Sequence, residues 1–166
     1  MRLLELFSPT APAPLYVCRH LINAEDLTRW AREQGFRSCL PASEFHVTIA
    51  YSKAPVNWQL LTPEQNKVRV KNGKRTVEKL GNAIVLRFES KMLSDRWQFF
   101  IDDAGCSWDF PSYLPHVSIT YESDGIDIDD IEPYGGDLVF GPEVFDAPNS
   151  DFADTFDEVD LAEATP

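Results

Sequence analysis

The chain has 166 residues, of which 43% are hydrophobic and 25% are charged, as in ordinary globular domains. Its formal net charge is −12, and so acidic a protein is poorly suited to tracking long nucleic acid through phosphate contacts. No run of about 18 apolar residues occurs, so no membrane span is predicted. We expect one domain with a sizeable core, at residues 1–146, that binds neither long nucleic acid nor a membrane.

The charge is divided unevenly along the chain. All 15 Lys and Arg residues precede residue 97, whereas the residues from 97 onward contain 18 Asp and Glu. Residues 147–166 are rich in Asp, Ala and Pro, and we expect them to form a disordered acidic tail. A small anionic ligand is still compatible with this composition, because the local field inside a cleft can oppose the net charge. The three cysteines lack metal-ligand spacing and indicate reduced thiols in a cytosolic protein: Cys18, Cys39 and Cys106.

The first predicted elements are a strand over residues 15–18, a helix over about 24–34 and a strand over about 44–51. Apolar residues recur in the helix at helical spacing, with Asn23 as its predicted N-cap. Gly35 stands where a C′ glycine belongs.

The middle of the chain predicts a hairpin. Polar and apolar residues alternate over residues 67–77 around Asn72-Gly73, and this dipeptide is a signal for a type I′ turn. Five cations lie along it: Lys67, Arg69, Lys71, Lys74 and Arg75. They form either a positive rim that attracts phosphates or a solvated, protected sheet edge. Residues 83–89 are predicted as a strand, and the aromatic run at 96–101 is assigned to a strand rather than a helix.

One short pattern occurs twice, at residues 46–51 and 116–121, and each copy is His, apolar, hydroxyl, apolar, small residue and Tyr. Side chains alternate along a strand, so His46 and Thr48 must share one face, and so must His116 and Ser118. Two such strands side by side would place two imidazoles and two hydroxyls around one small space. That set suits a phosphodiester, with the imidazoles as base and acid in either order and the hydroxyls as donors to phosphate oxygens.

This chemistry requires no metal and no other cofactor, and no carboxylate or Cys stands at a spacing that would complete a metal site around the two histidines. The third histidine, His20, has no second copy and is assigned a structural role. A last short strand is predicted over residues 137–140. Many strands, few helices and the duplicated motif predict an α+β domain of two similar lobes.

The paired His-x-Thr/Ser strands resemble the 2H phosphoesterase superfamily, which implies a two-lobed α+β fold with antiparallel strands lining a central cleft. Further segments resemble the phage anti-CBASS cyclic-oligonucleotide phosphodiesterases: residues 76–81, 105–111, 115–121 and 140–143. The resemblance implies a metal-independent enzyme that hydrolyses cyclic di- and trinucleotide defence signals, such as 3′,3′-cyclic GMP-AMP, at 3′–5′ linkages. It would thereby block bacterial CBASS immunity in the cytoplasm of the host cell.

The resemblance also assigns roles to individual residues. The catalytic roles fall on His46, Thr48, His116 and Ser118. The second motif has Ser118 where many relatives have Thr, and the hydroxyl is kept. Glu143 matches a family glutamate near the ligand, and Tyr16 lies where the family has an aromatic residue that could stack on a base. Both residues could instead be structural, Glu143 as a loop carboxylate and Tyr16 as part of the core.

Three other functions remain open at this stage. The chain could be a 2′,3′-cyclic phosphodiesterase acting on RNA ends, although its net acidity disfavours an RNA partner. It could be a non-catalytic sponge that sequesters the cyclic nucleotide, or a structural virion protein. The retained His and hydroxyl pairs favour an enzyme over both of these.

Overall fold

The structure is a computed structural model that describes residues 9–148. These residues form one seven-stranded antiparallel sheet with two α-helices packed on one face. The strands are β1 (Ala13–Leu21), β2 (His46–Val56), β3 (Val68–Val70), β4 (Arg75–Leu80), β5 (Ala83–Phe88), β6 (His116–Thr120) and β7 (Leu138–Asp146). The helices are α1 (Ala24–Glu33) and α2 (Lys91–Asp102), and single 3₁₀ turns occur at Ala42–Glu44, Trp58–Leu60 and Ile128–Asp130. The α+β class is therefore confirmed.

The two histidine strands are neighbours at the centre of the sheet, whose strand order is β3-β7-β1-β2-β6-β5-β4. Along their described lengths, β2 and β6 pair only at Val47 and Val117. The sheet is thus divided into a four-stranded half that ends in β2 and a three-stranded half that begins with β6. These two halves correspond to the two predicted lobes.

The faces of the central strands are divided as the alternation predicts. Val47, Ile49, Val117 and Ile119 are fully buried in the main core, between the sheet and the helices. Side chains of both helices reach the same core: Leu27 and Trp30 from α1, and Leu93 and Phe100 from α2. The histidines and hydroxyls of β2 and β6 consequently face away from the helices, on the side that we call the cleft face.

Helix α1 covers Ala24–Glu33, close to the predicted range, and Gly35 has the positive φ, +90°, expected of a C′ glycine. Asn23 occupies the N-cap position, as predicted, but its side chain does not cap the helix. Its Oδ1 instead accepts from the amide of Val139 at 3.0 Å, and its Nδ2 donates to the carbonyl of Asp137 at 2.7 Å. Asn23 therefore ties the start of α1 to β7.

The hairpin predicted over residues 67–77 does not form, and this prediction is wrong. Strand β3 pairs with β7 at one edge of the sheet, and β4 pairs with β5 at the other edge. The hairpin that does form joins β4 to β5 through Gly81-Asn82, and the φ of Gly81, +58°, suits the first position of a type II′ turn. Arg75 is buried, and its guanidinium donates to backbone carbonyls, including that of Tyr134 at 2.8 Å. Arg75 therefore takes no part in a solvent-facing positive rim.

Residues 96–101 belong to helix α2, so the prediction of a strand over these residues is wrong. Ser90 caps this helix by accepting from the amide of Leu93 at 3.2 Å. Leu93, Trp97 and Phe100 lie at helical spacing and turn the same stripe toward the core.

Strand β7 extends beyond the predicted residues 137–140 and runs through Glu143 to Asp146. The predicted acidic tail, residues 147–166, lies outside the described residues except for Ala147 and Pro148. None of the helices described between residues 9 and 148 is long and apolar enough to cross a membrane.

Candidate active site

The register of β2 and β6 brings the two motifs together. Antiparallel pairing at Val47 and Val117 places His46 across from Ser118 and Thr48 across from His116. Side chains directly opposite one another share a face, with Cβ atoms about 4.5–5.5 Å apart. Two imidazoles and two hydroxyls therefore alternate around a single patch of the cleft face, each histidine beside the hydroxyl of the other motif.

Both imidazoles are held in the same way. Nδ1 of His46 lies 2.8 Å from the carbonyl oxygen of Glu44, and Nδ1 of His116 lies 2.9 Å from that of Leu114. A carbonyl only accepts, so each Nδ1 carries the proton and donates it. In the neutral ring, Nε2 is then the nitrogen that can accept a proton, and in the charged ring it can donate one. The repeated bond fixes both the tautomer and the orientation of each ring.

The environment of His46 favours its neutral form. Burial is the main cause, and it lowers the pKa of His46 from 6.5 to about 4. The bond to the Glu44 carbonyl acts in the opposite direction, whereas the charges of His20 and His116 lower the pKa further. His46 is therefore uncharged at neutral pH in the ligand-free protein.

A third histidine belongs to this site and was missed as a functional residue. His20 pairs directly with His46 across β1 and β2, so both side chains lie on the cleft face. It is close enough for its charge to lower the pKa of His46. The signal available in the sequence was its alternation with Tyr16 and Cys18 on β1, which places all three on one face.

Tyr16 lies beneath the site rather than beside it. Its side chain has no exposed surface, and its hydroxyl lies 2.9 Å from Oγ1 of Thr48. It packs with Cys18 and Tyr51 in a small second cluster on the cleft face. Its contact with Thr48 makes it a partner of the motif hydroxyl, and its burial leaves no open ring face on which a base could stack.

Another tyrosine supports the same residue from the backbone side. The Tyr113 hydroxyl donates to the carbonyl oxygen of Thr48 at 2.7 Å. Its ring stacks on Trp97 of α2, with centroids 5.6 Å apart and an interplanar angle of 9°. Tyr113 thus connects the helix to the first histidine strand, a role that its loop position in the sequence did not reveal.

The loop that precedes β6 forms an aromatic wall over the Tyr16 cluster. Trp108 and Phe110 are half-buried there, with ring centroids 5.2 Å apart. The loop is anchored to β2 where the amide of Ser107 donates to Oγ of Ser52 at 3.0 Å, and where Lys53 pairs with Asp109 at 3.0 Å.

Arg87 is the cation that the structure places beside the second motif. It pairs with His116 across β5 and β6, so the two side chains share the cleft face. Its NH1 donates to Oε1 of Glu78 at 2.8 Å. The sequence indicated a strand here but gave no reason to connect Arg87 with His116, because this pairing joins distant segments.

Glu143 is placed on the opposite face of the sheet. Its side chain has no exposed surface, and Arg96 donates to both of its oxygens, from Nε at 2.7 Å and from NH2 at 2.8 Å. The amide of Glu64 donates to the same carboxylate at 2.9 Å, and NH2 of the buried Arg19 lies 3.9 Å away. The structure therefore does not bring Glu143 to the histidines.

Within residues 9–148, no group of three or more His, Cys, Asp or Glu side chains is arranged to hold a metal ion. The groups that the two motifs bring together are imidazoles and hydroxyls, which can move protons and donate hydrogen bonds to an anion.

Solved structures with the same fold include a phosphoesterase and LigT from E. coli. The chain is similar to a crystal structure of a phosphoesterase at a TM-score of 0.57 and 15% identity, covering 81% of this chain and 87% of that one. It is equally similar to LigT from E. coli in the apo form, at a TM-score of 0.57, 14% identity and the same coverage. The LigT complex with 3′-AMP has a TM-score of 0.56 and 15% identity, covering 81% of this chain and 86% of the other. These likenesses establish the fold.

Similar sequences come from bacteria and phages. The chain is 45% identical over 155 residues to an anti-CBASS protein Acb1 from Caulobacter sp. (strain RHG1), and 43% identical over 152 residues to one from Sphingomonas paeninsulae. These matches cover 89% and 86% of this chain but only 24% of each relative, so the chain spans about a quarter of their length. It is 30% identical over 122 residues to the protein of that name from Escherichia phage RB16, covering 72% of this chain and 70% of the relative. The family model for anti-CBASS protein Acb1 matches residues 13–155, and the chain belongs to that family.

Proposed function

We propose that the chain is a metal-independent phosphodiesterase that opens cyclic di- and trinucleotide signals, such as 3′,3′-cyclic GMP-AMP, at 3′–5′ linkages. The observation that carries this proposal is the mirrored pair of motifs, in which each imidazole is oriented by a backbone carbonyl and lies beside a hydroxyl of the other strand. Membership of the anti-CBASS family supports a nucleotide defence signal as the substrate.

In the proposed reaction, His46 is the general base and His116 the general acid. The neutral His46 takes the proton of the ribose 2′-hydroxyl through Nε2, because its Nδ1 is occupied by the Glu44 carbonyl. The 2′-oxygen then attacks phosphorus. The low pKa of His46 in the free protein supports this order, and a bound phosphodiester anion raises that pKa toward neutrality.

The leaving group is the 5′-oxygen of the next nucleotide. Nε2 of a protonated His116 donates its proton to that oxygen as the bond to phosphorus breaks. The products of this step are a 5′-hydroxyl and a 2′,3′-cyclic phosphate, with no atom gained or lost. Attack of water on the cyclic phosphate, with the two histidines in exchanged roles, then completes the hydrolysis.

The hydroxyls of Thr48 and Ser118 hold the non-bridging oxygens in this scheme. Tyr16 lies next to Thr48, and when its hydroxyl donates to Oγ1, the hydrogen of Thr48 is directed to the phosphate. Tyr16 therefore acts as a positioning residue, and Glu143 stabilises the opposite side of the sheet without touching the substrate.

The test is a product assay with 3′,3′-cyclic GMP-AMP in the presence of EDTA. We expect a linear product from the wild type, and a loss of kcat of at least about 10²-fold in His46→Ala and in His116→Ala. Thr48→Ser is the matched control, because it keeps the hydroxyl that the second motif supplies through Ser118. Loss of activity with EDTA would contradict the metal-free scheme.

Two other outcomes would favour different functions. If only nucleoside 2′,3′-cyclic phosphates are hydrolysed, the chain is an enzyme of RNA ends. If both alanine variants neutralise the signal as well as the wild type, it is a sponge. The proposed site of action is the cytoplasm of the bacterial host, where such signals are made.

A further inference from the structure

A cavity of about 510 Å³ lies in the three-stranded half of the sheet, where Leu114 and Pro115 lead into His116. Its walls come from the facing ends of β4 and β5, the start of α2 and the residues that lead into β6. Four cations line it: Lys74, Arg75, Arg87 and Lys91. Arg75 is buried and donates to backbone carbonyls, so the other three are the ones available to a ligand. Tyr113 and Pro115 contribute an apolar side, so the cavity offers both charge and a surface for a sugar or base.

Arg87 is the residue that connects this cavity to the two motifs. It lines the cavity and also pairs with His116 across the neighbouring strands. Its side chain is 30% exposed, so the guanidinium is partly desolvated but still accessible to a ligand. Leu114, whose carbonyl orients His116, lines the same cavity. The cavity and the motif site therefore share a wall.

The guanidinium of Arg87 is held in place by an ion pair that occupies only some of its N–H donors. Glu78 accepts from NH1 of Arg87 at 2.8 Å, and it also accepts from the Thr76 hydroxyl at 2.7 Å. An arginine has five N–H donors in a fixed fork, so this ion pair fixes its position and leaves other donors for an anion. Glu78 and Glu89 partly offset the positive charge of the lining.

A cyclic dinucleotide has two phosphodiesters at a fixed separation within one ring. When one of them lies between the two motifs, the other must lie to one side of them. Neighbouring strands are about 4.8 Å apart. The long side chain of Arg87 can carry its guanidinium further from His116 than this spacing. Arg87 is thus placed for the phosphate that does not react.

We propose that this cavity binds the non-scissile phosphate of a cyclic dinucleotide, with Arg87 as its main ligand. The inference rests on the proposed function and adds a specificity-determining residue to it. Because the contact is made equally in the ground state and in the transition state, it contributes to binding and not to the chemical step.

The test is a comparison of KM and kcat for 3′,3′-cyclic GMP-AMP in the wild type and in Arg87→Met, which keeps the aliphatic stem. We expect KM to rise about 10-fold while kcat stays within about twofold. A nucleoside 2′,3′-cyclic phosphate has only one phosphate, so its KM should not change. Arg87→Lys should recover part of the affinity, since it restores the charge but not the fork.

Arg69→Met is the matched control. Arg69 is also a strand arginine paired with a carboxylate, Asp137 at 2.9 Å, but it lies on β3 at the opposite edge of the sheet. The KM of Arg69→Met should equal that of the wild type. A lower kcat with an unchanged KM in Arg87→Met would overturn the inference, because Arg87 would then act on the reacting phosphate or on His116. An unchanged KM and kcat would overturn it as well. A wild type that does not open the dinucleotide would instead refute the proposed function.

Discussion

The hydroxyl oxygen of Tyr16 lies 2.9 Å from Oγ1 of Thr48, and the Tyr16 side chain has no exposed surface. The motif hydroxyl therefore has a buried partner that fixes its direction. Ser118, unlike Thr48, lacks the β-methyl group that restrains the rotamer of a threonine. The two halves of the site consequently differ in how their hydroxyls are held, although their sequences look alike.

Tyr16→Phe should lower kcat for 3′,3′-cyclic GMP-AMP by about 10-fold, because one aligned donor to the phosphate becomes free to rotate. Loss of a single buried hydrogen bond should also reduce the free energy of unfolding by about 1 kcal/mol. Steady-state kinetics and urea unfolding measure the two effects. The double variant Tyr16→Phe/Thr48→Val should have nearly the same kcat as Thr48→Val alone. Full activity of Tyr16→Phe would contradict the positioning role.

The partly buried environment of His46 should appear in the pH dependence of stability. Its pKa is about 4 in the folded protein and near 6.5 when unfolded, so the unfolded chain binds the extra proton between these values. Stability is therefore lost as the pH falls from 6.5 to 4, by on the order of 3 kcal/mol from this residue. In urea unfolding measured at several pH values, His46→Gln should not show the decrease in free energy of unfolding that His46 causes. Lys79→Gln, an exposed change on β4, should follow the wild type.

His20→Asn should shift the acidic limb of the pH profile of kcat/KM to higher pH. The charge of His20 lowers the pKa of His46, so its removal lets His46 take up a proton more readily. The maximal rate near neutral pH should change little. A purely structural role for His20 would lower activity at all pH values without moving the limb.

Glu143→Gln should destabilise the protein by about 3 kcal/mol, because it removes the buried carboxylate that Arg96 and the buried Arg19 share and leaves them only the exposed carboxylate of Glu64. Chemical denaturation measures this loss, and the KM of the residual folded enzyme should be unchanged. Glu122→Gln, at an exposed carboxylate after β6, is the control. An unchanged unfolding midpoint together with weaker binding of the cyclic nucleotide would restore the role in ligand binding that the family resemblance suggests.

The sequence was informative where the pattern is local. The period of two in residues 46–51 and 116–121 predicted which side chains are buried and which face the cleft, because alternation is a property of any strand. The spacing in residues 24–33 likewise predicted α1. Neither inference required knowledge of a partner segment.

Strand pairing depends on distant segments, and there the prediction failed. Asn72-Gly73 is a strong local turn signal, but Val68 and Val70 bury their side chains against β7, more than 60 residues later. The same limit hid Arg87 and His20, whose proximity to the motif histidines follows only from the sheet order. Residues 96–101 were misassigned because aromatic residues favour strands on average, whereas the cap at Ser90 and the core stripe decide for a helix.

The single pairing of Val47 with Val117 has a consequence for how this fold can vary. Almost no backbone ladder joins the two histidine strands, so the spacing of the imidazoles is set by core side chains packed behind them. A larger or smaller side chain in place of Val47 or Val117 would widen or narrow that spacing, while every other strand pair keeps its hydrogen bonds. Under the proposed function, a change at Val47 or Val117 would therefore alter the size of nucleotide ring that the site accepts while the two motifs stay unchanged.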